Sequence, residues 1–277
     1  MVLTEGLDNI LIMTGKPITF VQITDCHLFA TDDGKLLGMN TQHSLDAVLD
    51  RIQREQPAFD FLLCTGDLSQ DGSVNSYRRL WQTLDQRFSK DQYWIPGNHD
   101  NRPNMLQVVS EDQEMKPVID LGDWQIVQLD SQVVGSVHGR LAENQLALYE
   151  QALLQAPDKH TLVCMHHHPL PMHCEWLDPQ QIKNSQALLD IVHDHKNAKV
   201  VLWGHVHQET HQTIKDTEFV STPSTCVQFT PKSDDFDVDK QGPGYRWMTL
   251  LPDGRIESGV SRVDDIEFEI DYTVKGY

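Results

Sequence analysis

Five short segments, far apart in the chain, carry side chains able to hold metal ions. They are Asp25-Cys26-His27, Gly66-Asp67, Gly97-Asn98-His99-Asp100, His166-His167-His168 and Gly204-His205-Val206-His207. Each alone has an ordinary reading. An Asp-x-His pair is at home in any polar loop, Gly-Asp in a turn or helix entry, and Gly-Asn-His-Asp in a turn with an asparagine cap. The last segment says more, because His205 and His207 lie on one side of an extended chain. Coincidence fails for the set as a whole: 14 of the 277 residues are histidine, and many of them cluster with Asp and Asn. Carboxylate, amide oxygen and imidazole form the donor set of divalent ions such as Mn, Fe and Zn, with no need for thiolate. A carboxylate such as Asp67 has two oxygens and can serve two metals about 3.5–4 Å apart. Two divalent ions outweigh Asp25, Asp67 and a bridging hydroxide, so such a centre stays positive and attracts phosphate.

The elements that position these segments follow a recurring order of strand, polar tip and helix. Residues 18–23 alternate in β-forming types and end at Asp25 and His27. Leu45, Val48, Leu49 and Ile52 repeat with helical spacing, and the apolar run 59–64 ends at Asp67. A second amphipathic helix carries Tyr77, Leu80, Trp81, Leu84 and Phe88, and strand 93–95 is stopped by Pro96 ahead of Asn98 and His99. Strand 124–129, a helix near 142–154, strand 161–165, a helix over 180–193 and strand 199–203 complete the pattern, with His166 and His205 at strand ends. Such α/β folds place ligands outside the C-terminal ends of their strands. After about residue 215 short strands near 219–220, 245–251 and 256–263 replace the helices, and they are expected to form a second sheet packed on the first. The expected fold is therefore α/β: a four-layer sandwich of two mixed β-sheets flanked by helices. One domain over 17–277 follows a loosely attached extension, 1–16.

Composition narrows the partners. A formal charge of −19 argues against nucleic acid or an anionic membrane, since phosphate contacts need a basic surface. No apolar run is long enough to span a bilayer, and Glu5 and Asp8 stand where a signal peptide needs basic residues. The five cysteines, Cys26, Cys64, Cys164, Cys174 and Cys226, show no paired spacing, which suits reduced thiols in the cytoplasm.

Taken in order, the five segments resemble the calcineurin-like metallophosphoesterase family. More narrowly the chain is similar to bacterial class III 3′,5′-cyclic-AMP phosphodiesterases over about residues 18–277. That likeness is carried by Gln22-Ile23-Thr24-Asp25, Leu28-Phe29-Ala30, Gly66-Asp67-Leu68-Ser69-Gln70-Asp71 and Leu129-Asp130-Ser131-Gln132. It continues in His166-His167-His168-Pro169-Leu170-Pro171 and Thr222-Pro223-Ser224-Thr225-Cys226-Val227-Gln228-Phe229. The resemblance implies a first metal on Asp25, His27, Asp67 and His207, and a second on Asp67, Asn98, His166 and His205. His166 is chosen from its triplet because it directly follows the strand, with His167 and His168 as alternatives. Fe and Mn are the ions the family suggests, and Zn also suits the donors. His99 resembles the family's histidine that meets the phosphate and the leaving oxygen, with Asp100 either orienting it or capping the next helix.

The implied reaction is hydrolysis of cyclic AMP to 5′-AMP by a metal-bridging hydroxide, lowering cyclic-AMP signalling. Asp25, His27, Asp67, Asn98, His99, His166 and His207 would meet the substrate. His138, Arg140, Lys232 and Ser224-Thr225-Cys226 are candidates for recognising the rest of the nucleotide. Another phosphodiester or a phosphomonoester is the rival substrate, because metals read only phosphate. A non-catalytic scaffold would lack ligands or the histidine after Asn98, and a structural zinc site favours four tight Cys/His ligands. The partner expected is thus a small nucleotide, and oligomeric state is not legible.

Overall fold

The computed structural model describes residues 15–276. Most of the extension expected over 1–16 therefore lies outside the described residues, as does Tyr277.

Strand β1 (Ile18–Ile23) leads through a short hairpin, β2 (Lys35–Leu36) and β3 (Met39–Asn40), into helix α1 (Thr41–Glu55). Strand β4 (Phe61–Thr65), helix α2 (Val74–Phe88), strand β5 (Asp91–Ile95) and the single turn α3 (Arg102–Met105) follow. Then come β6 (Val118–Asp120), β7 (Trp124–Gln128), α4 (Glu143–Gln155), β8 (His160–Met165), α5 (Ser185–Asp194) and β9 (Ala198–Trp203). The chain closes with β10 (Thr210–Ile214), β11 (Thr217–Ser221), β12 (Gln228–Phe229), β13 (Val238–Asp239), β14 (Gly244–Leu250) and β15 (Ile256–Arg262).

Two mixed sheets result. One has the order β15-β14-β1-β4-β5 and the other β10-β11-β9-β8-β7-β6. Their inner strands read as unbroken apolar runs because both faces are covered, as parallel pairing requires. Alternation assigns each face. Phe20, Phe61 and Leu63 of the first sheet meet Ile126, Leu162, Val200 and Leu202 of the second in one buried cluster. Val21, Ile23, Leu62 and Cys64 point the other way, onto Leu45, Val48, Leu49 and Ile52 of α1 and Tyr77, Leu80 and Leu84 of α2. Val127, Val163, Met165 and Val201 likewise face Tyr149 and Leu153 of α4 and Leu188 and Val192 of α5. The layers run helix, sheet, sheet, helix, as expected.

Strand allotment differs from expectation. The late strands do not build the second sheet by themselves: β14 and β15 extend the first, antiparallel beside β1, while β11 joins the second beside β9. Strands β8 and β9, placed with β1 in the sequence reading, pair with β7 and β11 instead. Period-two patterning marks the two faces of a strand but carries no record of its neighbour. The consequence for the site is direct. Strands β1, β4 and β5 run parallel in one sheet and β8 and β9 in the other, and each ends in one of the polar segments.

Candidate metal centre

The polar segments are held in a backbone conformation that most side chains avoid. Asp25, His27, Asp67, His205 and His207 all have positive φ, between 47° and 65°. This left-handed region costs a non-glycine residue about 1 kcal/mol or more, and Asp and His tolerate it better than most. The cost is met by neighbouring loops that fix one another. The N–H of Asp25 donates to the Gly66 carbonyl and that of His27 to the Asp67 carbonyl, both at 2.9 Å, so the loops after β1 and β4 advance in register. Two glycines make room for the donors. A Cβ on Gly66 would stand 2.4 Å from Nδ1 of His166, and one on Gly204 would stand 2.0 Å from Oγ1 of Thr24.

Among the described residues four overlapping groups of donors converge. Asp25, His27 and His207 form the first, with one ligand atom of each within 4.8 Å of the others, and Asp25, Asp67 and His166 the second; His27, Asp67 and His99 form a third, and His166, His167 and His205 a fourth. In the first, Nε2 of His27 lies 3.2 Å from Nε2 of His207, which lies 3.3 Å from Oδ1 of Asp25. In the second, Nε2 of His166 is 3.2 Å from Oδ2 of Asp67, from Oδ1 of Asn98 and from Nδ1 of His205. Donors about 2.0–2.2 Å from one ion stand about 3.0–3.5 Å apart at neighbouring vertices, so these spacings are those of a coordination shell.

Hydrogen bonding behind the donors sets which nitrogen faces inward. Nδ1 of His27 lies 2.7 Å from Oε1 of Gln70, Nδ1 of His166 is 2.8 Å from the Thr65 carbonyl, and Nδ1 of His207 is 2.7 Å from the Val227 carbonyl. These oxygens accept, so Nδ1 donates and the neutral ring keeps its lone pair on Nε2, the arrangement found behind metal-bound histidines. Two such lone pairs then face each other between His27 and His207, beside Oδ1 of Asp25, which has no hydrogen-bond partner among the described residues. A divalent cation turns that mutual repulsion into coordination. The chemistry of the residues thus fits the metals.

Charges agree. Burial drives the pKa of His27 down to about 3, leaving its ring neutral. Burial also works against a charge on His166, but Asp67 outweighs it and lifts this histidine to about 9, so in the absence of a cation Nε2 holds a proton where a metal would take its lone pair. Burial raises the carboxyl of Asp67, yet His166 and His99 hold it well below the usual carboxylate range. All five cysteines are free and buried, and burial pushes the thiols of Cys26, Cys64, Cys164 and Cys226 up, away from the thiolate a metal would need.

The sequence-predicted residues separate here. Asp25, His27, Asp67, Asn98, His166, His205 and His207 come together. His99 stands at their edge: its ring packs edge-on against His27 at 5.1 Å, and its N–H donates to Oδ1 of Asp67 at 2.8 Å. Of the triplet, His166 faces Asp67 and Asn98. Nδ1 of His167 is 2.9 Å from the Ser131 hydroxyl, and His168 stacks on His205 at 5.5 Å. Asp100 does not cap the next helix. Asn101 caps α3, and the Asp100 carboxylate accepts from the N–H groups of Gly97, Leu68 and Ser69 and from the Tyr77 hydroxyl, tying the loops after β4 and β5 together. Gln132 was passed over as a separate contributor. Its amide donates to the carbonyls of Gly97 and Asp100, 2.6 Å each, and so fixes the turn that presents Asn98 and His99.

A cavity of about 280 Å³ opens beside this centre, with Asn98, His99 and His205 at its polar end. Its far wall is Trp176, Phe229 and Phe236, with Lys275 and Gly276 of the C-terminal tail at the side. Thr225 does not line it: the residue is fully buried, its N–H bonded to the Thr24 carbonyl and its own carbonyl to the Ser44 hydroxyl. The substrate contact expected of Thr225 has no counterpart in this lining. His138, Arg140 and Lys232 are likewise absent from the lining, where Val137 and Lys275 stand instead. Sequence reasoning missed Trp176, Phe236 and Lys275. Their one visible sign was aromatic and basic character inside segments read only as loop and tail.

Comparison with known proteins agrees with the geometry. The family described as calcineurin-like phosphoesterase matches residues 18–209. The 3′,5′-cyclic adenosine monophosphate phosphodiesterase CpdA of Pseudomonas aeruginosa is 44% identical over 264 residues, covering 95% of this chain and 97% of that protein. The protein of the same name from Escherichia coli K12 is 40% identical, with 94% and 95% covered. Among solved structures, a dimetal phosphatase from Danio rerio superposes with a TM-score of 0.59 at 16% identity over 88% of this chain and 98% of that one, a likeness of fold alone. The matched stretch runs from β1 through His207 and so contains all five polar segments, and the chain belongs to the calcineurin-like phosphoesterase family.

Proposed function

We propose that this protein is a binuclear metal-dependent phosphodiesterase that hydrolyses 3′,5′-cyclic AMP to 5′-AMP. The observation that carries the reading is the place of Asp67, which belongs to one donor group with His27 and His99 and to another with Asp25 and His166, with His166 Nε2 3.2 Å from its Oδ2. Relatives at 40–44% identity that carry the cyclic AMP name over nearly their whole length supply the substrate. Asp25, His27, Asp67 and His207 would hold one ion and Asp67, Asn98, His166 and His205 the other, with Fe and Mn as the proposed pair and Zn also compatible with the donors. When bound, two such ions make water nucleophilic near neutral pH and withdraw charge from phosphoryl oxygens.

The chain's own groups do the rest. The carbonyls of Thr65 and Val227 and the Gln70 amide hold three imidazoles in one tautomer and orientation. Asp67 accepts the His99 N–H, which keeps that ring at the cavity side of the centre. There a ring nitrogen of His99 donates its proton to the leaving ribose O3′, an alkoxide too basic to depart unaided. The centre offsets the overall charge of −19 locally, so an anionic ester is drawn to it. Buried free thiols and the nucleotide substrate favour action in the cytoplasm, where hydrolysis would lower cyclic-AMP signalling.

The test is hydrolysis of cyclic AMP, cyclic GMP, a chromogenic diester and a phosphomonoester by protein loaded with Mn or Fe. Cyclic AMP should be turned over to 5′-AMP with the highest kcat/KM. Preference for the monoester, or no turnover of any diester, would overturn the reading.

A further inference from the structure

The cavity beside the metal centre has two unlike sets of lining residues, polar Asn98, His99 and His205 and aromatic Trp176, Phe229 and Phe236. The aromatic set is built as a unit. Trp176 meets Phe229 at 5.1 Å and 85° and Phe236 at 5.0 Å and 72°, while its indole N–H donates to the Ser233 hydroxyl at 3.1 Å. Phe229 in turn stacks on His207 at 4.2 Å and 13°, which joins this wall to the donor group. With its polar atom satisfied and its ring held by Phe229 and Phe236, the half-buried indole offers apolar surface at little ordering cost.

A molecule that fits must carry a phosphoester at one end and a flat apolar ring at the other. We infer that this cavity is the nucleobase subsite, and that Trp176 is the residue on which the base stacks. The inference rests on the phosphodiesterase reading and deepens it: phosphate recognition belongs to the metal centre, and the nucleoside is told from other diester substituents by this wall. Stacking on an aromatic side chain tolerates every base, because each has a π-face. Trp176 therefore selects nucleotides over non-nucleotide esters rather than one base over another.

The experiment uses Mn-loaded wild type, Trp176→Ala and Trp176→Phe. It measures KM and kcat for cyclic AMP and inhibition by 5′-AMP and by ribose 5-phosphate, which lacks the base. Trp176→Ala should raise KM for cyclic AMP and Ki for 5′-AMP about 10-fold, the scale of one base–aromatic stack, and move kcat less. Ki for ribose 5-phosphate should stay within about twofold, and Trp176→Phe should recover most of the loss. Unchanged KM and Ki overturn the inference. So does an equal weakening of both inhibitors, which would mean that Trp176 only packs the wall. Should wild type hydrolyse a chromogenic diester but not cyclic AMP, the substrate assignment fails; the same two inhibitors then test the subsite on the diester.

Discussion

The donor cage and the aromatic cavity adjoin, yet they are built on opposite terms. In the cage six of the seven candidate ligands are buried, five sit in left-handed backbone, and the loops lock one another by main-chain bonds. The cavity wall is drawn from Val137, Trp176, Phe229, Phe236 and Lys275, in separate loops, a short hairpin and the tail, where ring contacts join Trp176, Phe229 and Phe236 and the Phe229 N–H donates to the His207 carbonyl of the cage. The difference separates two tasks. Holding multivalent ions needs positions fixed to fractions of an ångström, which strained, over-determined backbone supplies. Recognising the remainder of a substrate needs shape and apolar surface, which variable loops supply.

That contrast can be broken by substitutions on either side. Asp67→Ala should have the largest effect, lowering kcat by more than about 10³-fold and reducing bound metal, because it removes the donor that both proposed ions would share. Activity within tenfold of wild type would remove Asp67 from the centre. His99→Ala should cost about 10²–10³-fold in kcat while metal content by elemental analysis stays near wild type. Metal lost in proportion to rate would place His99 among the ligands instead. Gln70→Leu leaves every proposed ligand in place but takes away the acceptor 2.7 Å from Nδ1 of His27. Mn titrations should show metal affinity lowered about 10–100-fold, with much of the rate restored at saturating metal. At the cavity, Lys275→Ala should raise KM for cyclic AMP by about threefold through lost charge attraction, whereas Arg140→Ala should stay within about 1.5-fold. The reverse order would return Arg140 to the role expected from sequence.

The same contrast explains what was legible. Asp25, His27, Asp67, Asn98, His166, His205 and His207 are announced by type and by position at strand ends, since parallel strands in both sheets must deliver their C-terminal residues to one edge. The two-sheet, helix-flanked architecture followed from alternating strands and amphipathic helices. Which sheet each strand joined did not, because β14 pairs with β1 across more than two hundred residues and only packing selects that neighbour. Thr225 looked like a loop residue facing substrate and proved buried between Thr24 and Ser44. Trp176 and Phe236 are ordinary aromatics until the fold sets them 5.0 Å apart beside His205. Left-handed backbone at five candidate ligands leaves no mark that composition or periodicity could show.

The central claim is that the five polar segments hold two ions through one shared carboxylate. Anomalous diffraction from crystals of Mn-loaded protein tests it most directly. Two peaks per chain are predicted, about 3.5–4 Å apart, with the Asp67 carboxylate between them. A single peak, or two that Asp67 does not bridge, would contradict the account.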